Sequence, residues 1–173
     1  MSAPPGVESA AAVYPLPLSG AEEGMGISIV GKPMPPPGQR LSVNPVWVTP
    51  DYFKTLGISL VVGRGFTDDD AADAPQVAVV NQTLARRYFE GEDPIGQQVT
   101  LGWQGEKARA IVGIVADTRP KGLDQETRPE IYVPHSQFRS AFMSLVIRVQ
   151  PGASSPVTAA RDEVRAIDPE TPV

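Results

Sequence analysis

Cysteine is absent from the 173 residues, which excludes disulfides, thiolate metal sites and cysteine nucleophiles. There is one histidine, His135. A lone histidine is a poor basis for a structural zinc site, and no Gly-x-Ser-x-Gly elbow accompanies it to suggest a hydrolase. No apolar run nears the ~20 residues that cross a bilayer. The N-terminus lacks the basic, apolar, small-residue order of a signal peptide. Lys and Arg number 15 against 20 Asp and Glu, a net charge of −5, so a general nucleic-acid surface is not expected. Trp47 and Trp103 are too distant in sequence to imply a stacking platform. Gly63-x-Gly65 is too short for a phosphate loop, and no Gly-Lys-Ser/Thr exists. Neither catalytic residues nor a cofactor site can be assigned from these patterns.

Proline and glycine are plentiful, at 19 and 16. They imply short elements and many turns. With 41% apolar residues and 18.4 kDa, the chain can bury a core as one domain or two small ones.

The segment Gln76 to Asp93 is the most informative. Val77 to Val80 is an unbroken apolar, β-branched run that suits a strand buried on both faces. Asn81 follows as a natural N-cap. Leu84, Ala85, Tyr88 and Phe89 share one helical face, and Gly91 supplies a stop. Upstream, Ala10 to Tyr14 and Met25 to Val30 read as strands, and Lys32 to Arg40 as a proline-rich surface loop. Leu41 to Val48 reads as a strand in which Pro45 forces an edge or a bulge. Thr49 is placed to cap a helix that Pro50 opens and Gly57 ends, with Tyr52, Phe53 and Leu56 on its apolar face. Ile58 to Val62 is a further strand.

Downstream, Gln98 to Trp103 and Lys107 to Val115 read as a hairpin through Gln104-Gly105-Glu106. Glu130 to Pro134 and Ser144 to Val149 are strands, the latter with Leu145, Ile147 and Val149 on one face. Pro156 opens a helix whose Val157, Ala160, Val164 and Ile167 recur at helical spacing, a face expected to be fixed in the core. The fold class is α+β, with about eight short strands and three helices.

The acidic run Asp68, Asp69, Asp70 and Asp73 lacks the alternate spacing, central glycine and distal glutamate of a calcium loop. It reads as a turn, with Arg64 pairing Asp69 or Asp70. Arg64, Asp69, Asp70 and Asn81 are therefore structural candidates, and no metal or cofactor is expected.

Several blocks in succession carry a resemblance. They are Val48-Thr-Pro-Asp-Tyr-Phe-Lys-Thr-Leu-Gly-Ile, Gly63-Arg-x-Phe with its acidic turn, and Val77-Ala-Val-Val-Asn-Gln-Thr-Leu-Ala-Arg-Arg-Tyr-Phe. Asp93-Pro-Ile-Gly, Ile111-Val-Gly-Ile-Val-Ala-Asp, Glu130-Ile-Tyr-Val-Pro and Leu145-Val-Ile-Arg-Val follow in order. Together, from about Val7 to the end, they resemble the extracytoplasmic core domain of MacB-type ABC transporter permeases.

The resemblance implies a mixed-sheet Sabre-like insert, residues 25–138, and a Porter-like βαβ part, residues 7–24 and 139–173. A strand and helix that usually precede the segment matching Val7 to Leu18 are missing, so the Porter-like part is expected to be incomplete. It further implies a periplasmic, non-catalytic domain that transmits ATP-driven motion. Its implied partners are the membrane helices of the same permease, a second copy, and an adaptor protein or a lipoprotein, peptide or drug cargo. Two other readings remain: a small stand-alone enzyme, metal-dependent through Asp68 to Asp73 and His135, or a free ligand-binding module. Coding sequence with apolar spans of ~20 residues on either side would separate them from the first.

Overall fold

Strand β5, Val77–Asn81, is buried at every residue, as an apolar β-branched run with neighbours on both edges and both faces must be. It pairs in parallel with β7, Arg109–Val115, and antiparallel with β8, Glu130–Pro134. The computed structural model describes residues 6–20, 24–36, 38–102, 107–118, 126–138 and 142–168. The remaining strands among them are β1 Val7–Tyr14, β2 Met25–Ile29, β3 Ser42–Val48, β4 Leu60–Gly63, β6 Gln98–Leu101 and β9 Ser144–Val149. The helices are α1 Tyr52–Leu56, α2 Gln82–Tyr88 and α3 Val157–Ile167, with a 3-10 turn at His135–Gln137.

The sheet order is β2-β6-β7-β5-β8-β3-β1-β9, with β4 attached to β7. β2 also pairs with β3, so the pairings from β2 through β6, β7, β5, β8 and β3 return to β2. β1 and β9 stand outside this ring as a long antiparallel pair, joined to it where Val13 and Tyr14 meet Val48 and Trp47. Gln98↔Ala110 and Val99↔Arg109 pair antiparallel, as a hairpin requires; its turn and Trp103 lie outside the described residues.

Strand alternation sorts the core into two apolar clusters. Ala78, Val80, Trp47, Ile131 and Val133 face α2 and meet its Leu84 and the adjoining Phe89. Val77, Val79, Val46, Val48 and Tyr132 face α1 and meet Tyr52, Phe53 and Phe66. Trp47 stacks on Phe138 at 4.6 Å between centroids. Phe53 meets Tyr132 edge-on at 5.0 Å, a preferred aromatic geometry.

Three expectations are corrected. β3 is neither an edge strand nor bulged at Pro45. It pairs with β8 along Asn44 to Val48, while its other side changes partner, from β2 at Ser42 and Val43 to β1 at Trp47 and Val48. Asn44 N donates towards β8, to Pro129 O, so the nitrogen of Pro45 points the other way, into the gap between β2 and β1. A missing N–H costs nothing where no strand is there to receive it.

Thr49 does not cap α1. Its Oγ1 accepts from Ala12 N at 2.9 Å and its N donates to Ala12 O at 3.0 Å, so the residue prolongs the β1–β3 pairing instead. The helix begins at Asp51 without a side-chain cap.

α3 is the third correction. It has no buried residue; Val157 is 51% and Ile167 72% exposed. Periodicity shows that a helix has an apolar face, but a surface must be present to cover it. Among the described residues no strand or helix packs extensively against α3.

Leu84→Ala is expected to cost about 2–5 kcal/mol, as for other closed core sites. Ile167→Ala is expected to stay within about 0.5 kcal/mol. Urea titrations of the two variants check the contrast.

Candidate functional site

Asn81 ends β5 and caps α2. Its Oδ1 accepts from Leu84 N at 2.8 Å and from Glu130 N at 3.1 Å, and its Nδ2 donates to Arg128 O at 2.8 Å. One buried carboxamide thus joins the end of β5, the first turn of α2 and the start of β8. The carboxylate of Asp117, just past β7, accepts from Thr83 N (2.7 Å), Thr83 Oγ1 (2.9 Å) and Arg86 Nη2 (2.7 Å), and so ties β7 to the same helix turn.

Next to this joint lies the buried Glu130. Its Oε2 accepts from Tyr132 OH at 2.8 Å and Thr118 Oγ1 at 3.0 Å. Burial raises its pKa above the ordinary 4.5, the two hydrogen bonds oppose that, and the charge of Asp117 adds to it. Burial and the Glu130 charge likewise push the Tyr132 and Tyr52 phenols up.

A second polar joint follows β4. Arg64 Nη1 and Nη2 donate to Asp70 Oδ2 and Oδ1 at 2.8 and 2.9 Å, a bidentate fork. Thr67 N donates to Asp70 Oδ2 at 2.9 Å, and Ser136 Oγ to Asp70 O at 2.6 Å. Asp70 is buried, whereas Asp68, Asp69 and Asp73 are exposed. The Arg64 hydrogen bond is the main cause holding the Asp70 carboxyl below its ordinary 3.8. Of the two partners expected for Arg64, the structure supplies Asp70.

A third joint uses Gln137. Its Oε1 accepts from Val77 N and from Arg109 Nη1, each at 3.0 Å, and its Nε2 donates to Pro75 O at 3.0 Å. Burial lowers the Arg109 pKa to about 10.

These groups hold backbone to backbone. Ser136 spends its hydroxyl proton on Asp70 O rather than presenting it to His135. Among the described residues no group of three or more His, Asp or Glu side chains could hold a metal ion. Sequence reasoning singled out Arg64, Asp70 and Asn81 but missed Arg109, Glu130, Tyr132 and Gln137. The signal for Arg109 and Glu130 was a charge at the first position of an otherwise apolar strand.

Removing the Asp70 charge, as Asp70→Asn, is expected to cost about 1 kcal/mol at neutral pH, since Arg64 is half-exposed and its pairing is screened. A lowered folded pKa means this stability is present above the ordinary 3.8 and fades as pH falls through the folded value. Thermal melts of both proteins should therefore converge in acid. Glu130 carries the opposite sign. Its raised folded pKa favours the fold below 4.5 and loses that contribution as pH rises through the folded value. Glu130→Gln is expected to gain stability relative to the unsubstituted chain as pH climbs from 4 to 8. Melting curves that run parallel across that range would contradict this.

A family model described as MacB-like periplasmic core domain matches residues 3–167. The macrolide export ATP-binding/permease protein MacB of Sodalis glossinidius is 30% identical over 98 residues, 55% of this chain and 14% of that protein. The ABC transporter permease YknZ of Bacillus subtilis is 28% identical over 91 residues, 53% of this chain and 22% of that protein. The chain thus spans under a quarter of the length of these relatives. Among solved structures, the periplasmic region of MacB from Actinobacillus actinomycetemcomitans has a similar fold, with TM-score 0.64 at 17% identity over 95% of this chain and 69% of that one. The extracellular domain of YknZ gives TM-score 0.62 at 15% identity over 96% and 79%.

Proposed function

The chain belongs to the MacB-like periplasmic core domain family, an extracytoplasmic part of ABC transporter permeases, and on that premise we propose that it passes ATP-driven movement of the membrane helices to cargo or to an adaptor protein. The domain performs no chemistry in this reading; ATP hydrolysis resides in a separate cytoplasmic part. The cargo class is that of exporters, lipoprotein movers or signalling permeases, namely lipoproteins, peptides or drugs.

The observation that carries the proposal is the β1–β9 ladder and its anchorage. β9 is paired to β1 from Ser144 to Val149. Arg148 Nε donates to Thr55 O at 2.7 Å, fastening β9 to α1. β1 in turn meets β3, a member of the strand ring. Displacement of β9 along its axis shears a row of backbone hydrogen bonds that is regular from Ser144 to Arg148 and breaks register only between Val7 and Ser9, a stiff connection compared with a flexible linker. With its apolar face uncovered, α3 is a poorer lever, so the strand pair takes that role.

This division also supports a Sabre-like part at residues 25–138 and a Porter-like part at 7–24 and 139–173. Strands β2 to β8 all fall in the first range, and β1 and β9 in the flanks.

In a full-length permease carrying this domain, a long Gly/Ser insertion at Gly152, between β9 and α3, is expected to leave ATP hydrolysis intact while transport falls at least tenfold. Transport at the unmodified rate would instead make the domain a passive docking surface.

A further inference from the structure

Two carboxylates are buried among the described residues, Asp70 at 6% and Glu130 at 3% exposure, and the fold treats them differently. Asp70 receives the fork of Arg64 and the N–H of Thr67. Glu130 receives two hydroxyls, Tyr132 OH and Thr118 Oγ1, both on Oε2. Among the described residues it forms no ion pair; those present join Lys32 to Glu92, Arg64 to Asp70 and Arg86 to Asp117.

The groups around Glu130 come from every neighbouring element. β8 itself brings the Tyr132 phenol and α1 the Tyr52 phenol, both pushed up by burial and by the Glu130 charge. The end of β7 brings Asp117, a second carboxylate, and Thr118. β5 brings Asn81, whose Oδ1 takes the Glu130 N–H, and β3 brings Asn44 as the cross-strand neighbour. α2 brings Arg86, which is held by Asp117. The hydrogen bonds of Glu130 can be kept in either protonation state. Ionised, it accepts from both hydroxyls. Protonated, it gives its own O–H to one hydroxyl oxygen and still accepts from the other, because a hydroxyl both donates and accepts. The proton therefore removes a buried charge, and its repulsion with Asp117, without orphaning a donor.

We propose that Glu130 is a proton-operated latch on the joint between β5, β7, β8 and the first turn of α2, closed while the carboxyl holds its proton and opened locally when the proton leaves to solvent. The movable part is the Asp117–Thr118 segment. It carries both the carboxylate that repels an ionised Glu130 and the hydroxyl that bonds it, and it is tied to α2 through Thr83 N and Arg86. Burial, opposed by the two hydrogen bonds and helped by the Asp117 charge, holds the Glu130 carboxyl above its ordinary 4.5. The closed joint thus favours the proton, and closure is lost as pH rises through the folded value.

Hydrogen exchange of the Thr83, Leu84 and Glu130 amides in the 173-residue chain reads the joint, since Asp117 holds the first and Asn81 Oδ1 the other two. Corrected for the intrinsic pH dependence of exchange, their opening is expected to rise about tenfold between about pH 4.5 and 7.5. Ile27 N, bonded to Leu41 O on β2, a strand that pairs with neither β5 nor β8, should change by less than about twofold over the same range. In the unsubstituted chain the Glu130 carboxyl carbon, followed by NMR, should titrate above pH 4.5 with the midpoint of the joint amides. Glu130→Gln should hold those amides at their acid values throughout. Tyr132→Phe removes a donor to the ionised form and should move the midpoint up. A carboxyl midpoint at or below 4.5, an equal rise at Ile27, a rise that survives in Glu130→Gln, or a midpoint that Tyr132→Phe leaves in place or lowers would each overturn the latch. Because no transport is measured, failure here leaves the permease reading untouched.

Discussion

The buried carboxamide of Asn81 is the interaction on which the most structure depends. A strand that runs straight into a helix leaves N–H groups without partners at the helix start. Asn81 satisfies one of them and, with the same oxygen, the N–H of Glu130. The position of β8 is thereby set by the cap of α2. Asp117 repeats the device from β7 through Thr83. Three adjacent strands converge on one short helix, whose Leu84 closes the apolar cluster beneath it. A seven-residue helix is too short to persist alone in water, so tertiary bonds supply what propensity cannot.

The ring of strands depends on β3 serving two partners in succession on one side. Pro45 stands at the changeover, where an N–H would meet neither β2 nor β1. Where Gly63 and Gly113 bring β4 and β7 together, a side chain on either would strike backbone. The close approach holds the turn that carries Arg64 towards Asp70.

Stability is unevenly distributed. The ring and its two apolar clusters are closed, while β9 and α3 keep apolar side chains in solvent. A closely packed body thus stands beside more loosely covered elements. Such low-coverage elements are where proteins open and move most readily. The ladder between β1 and β9 joins the two regimes.

Much of this was legible in the sequence. The buried β5, the Asn81 cap, the antiparallel pairing of β6 with β7 and the Arg64–acidic turn follow from local rules of run length, capping, turn chemistry and charge spacing. The order of family-like blocks pointed to the fold without any of the contacts. What the sequence could not supply was each partner brought from afar. Asn81 meets Glu130 across 49 residues, and Gln137 meets Val77 across 60. Thr49 looked like a cap because its neighbours are helical, yet β1 claims its hydroxyl. Pro45 looked like an edge because local rules see one strand and not the changeover beside it. The α3 stripe stated an apolar face without stating what covers it. Local sequence determines which backbone states and which faces are favourable; which groups meet across those faces is decided by tertiary structure, because burial and hydrogen-bond satisfaction are accounted over the whole chain.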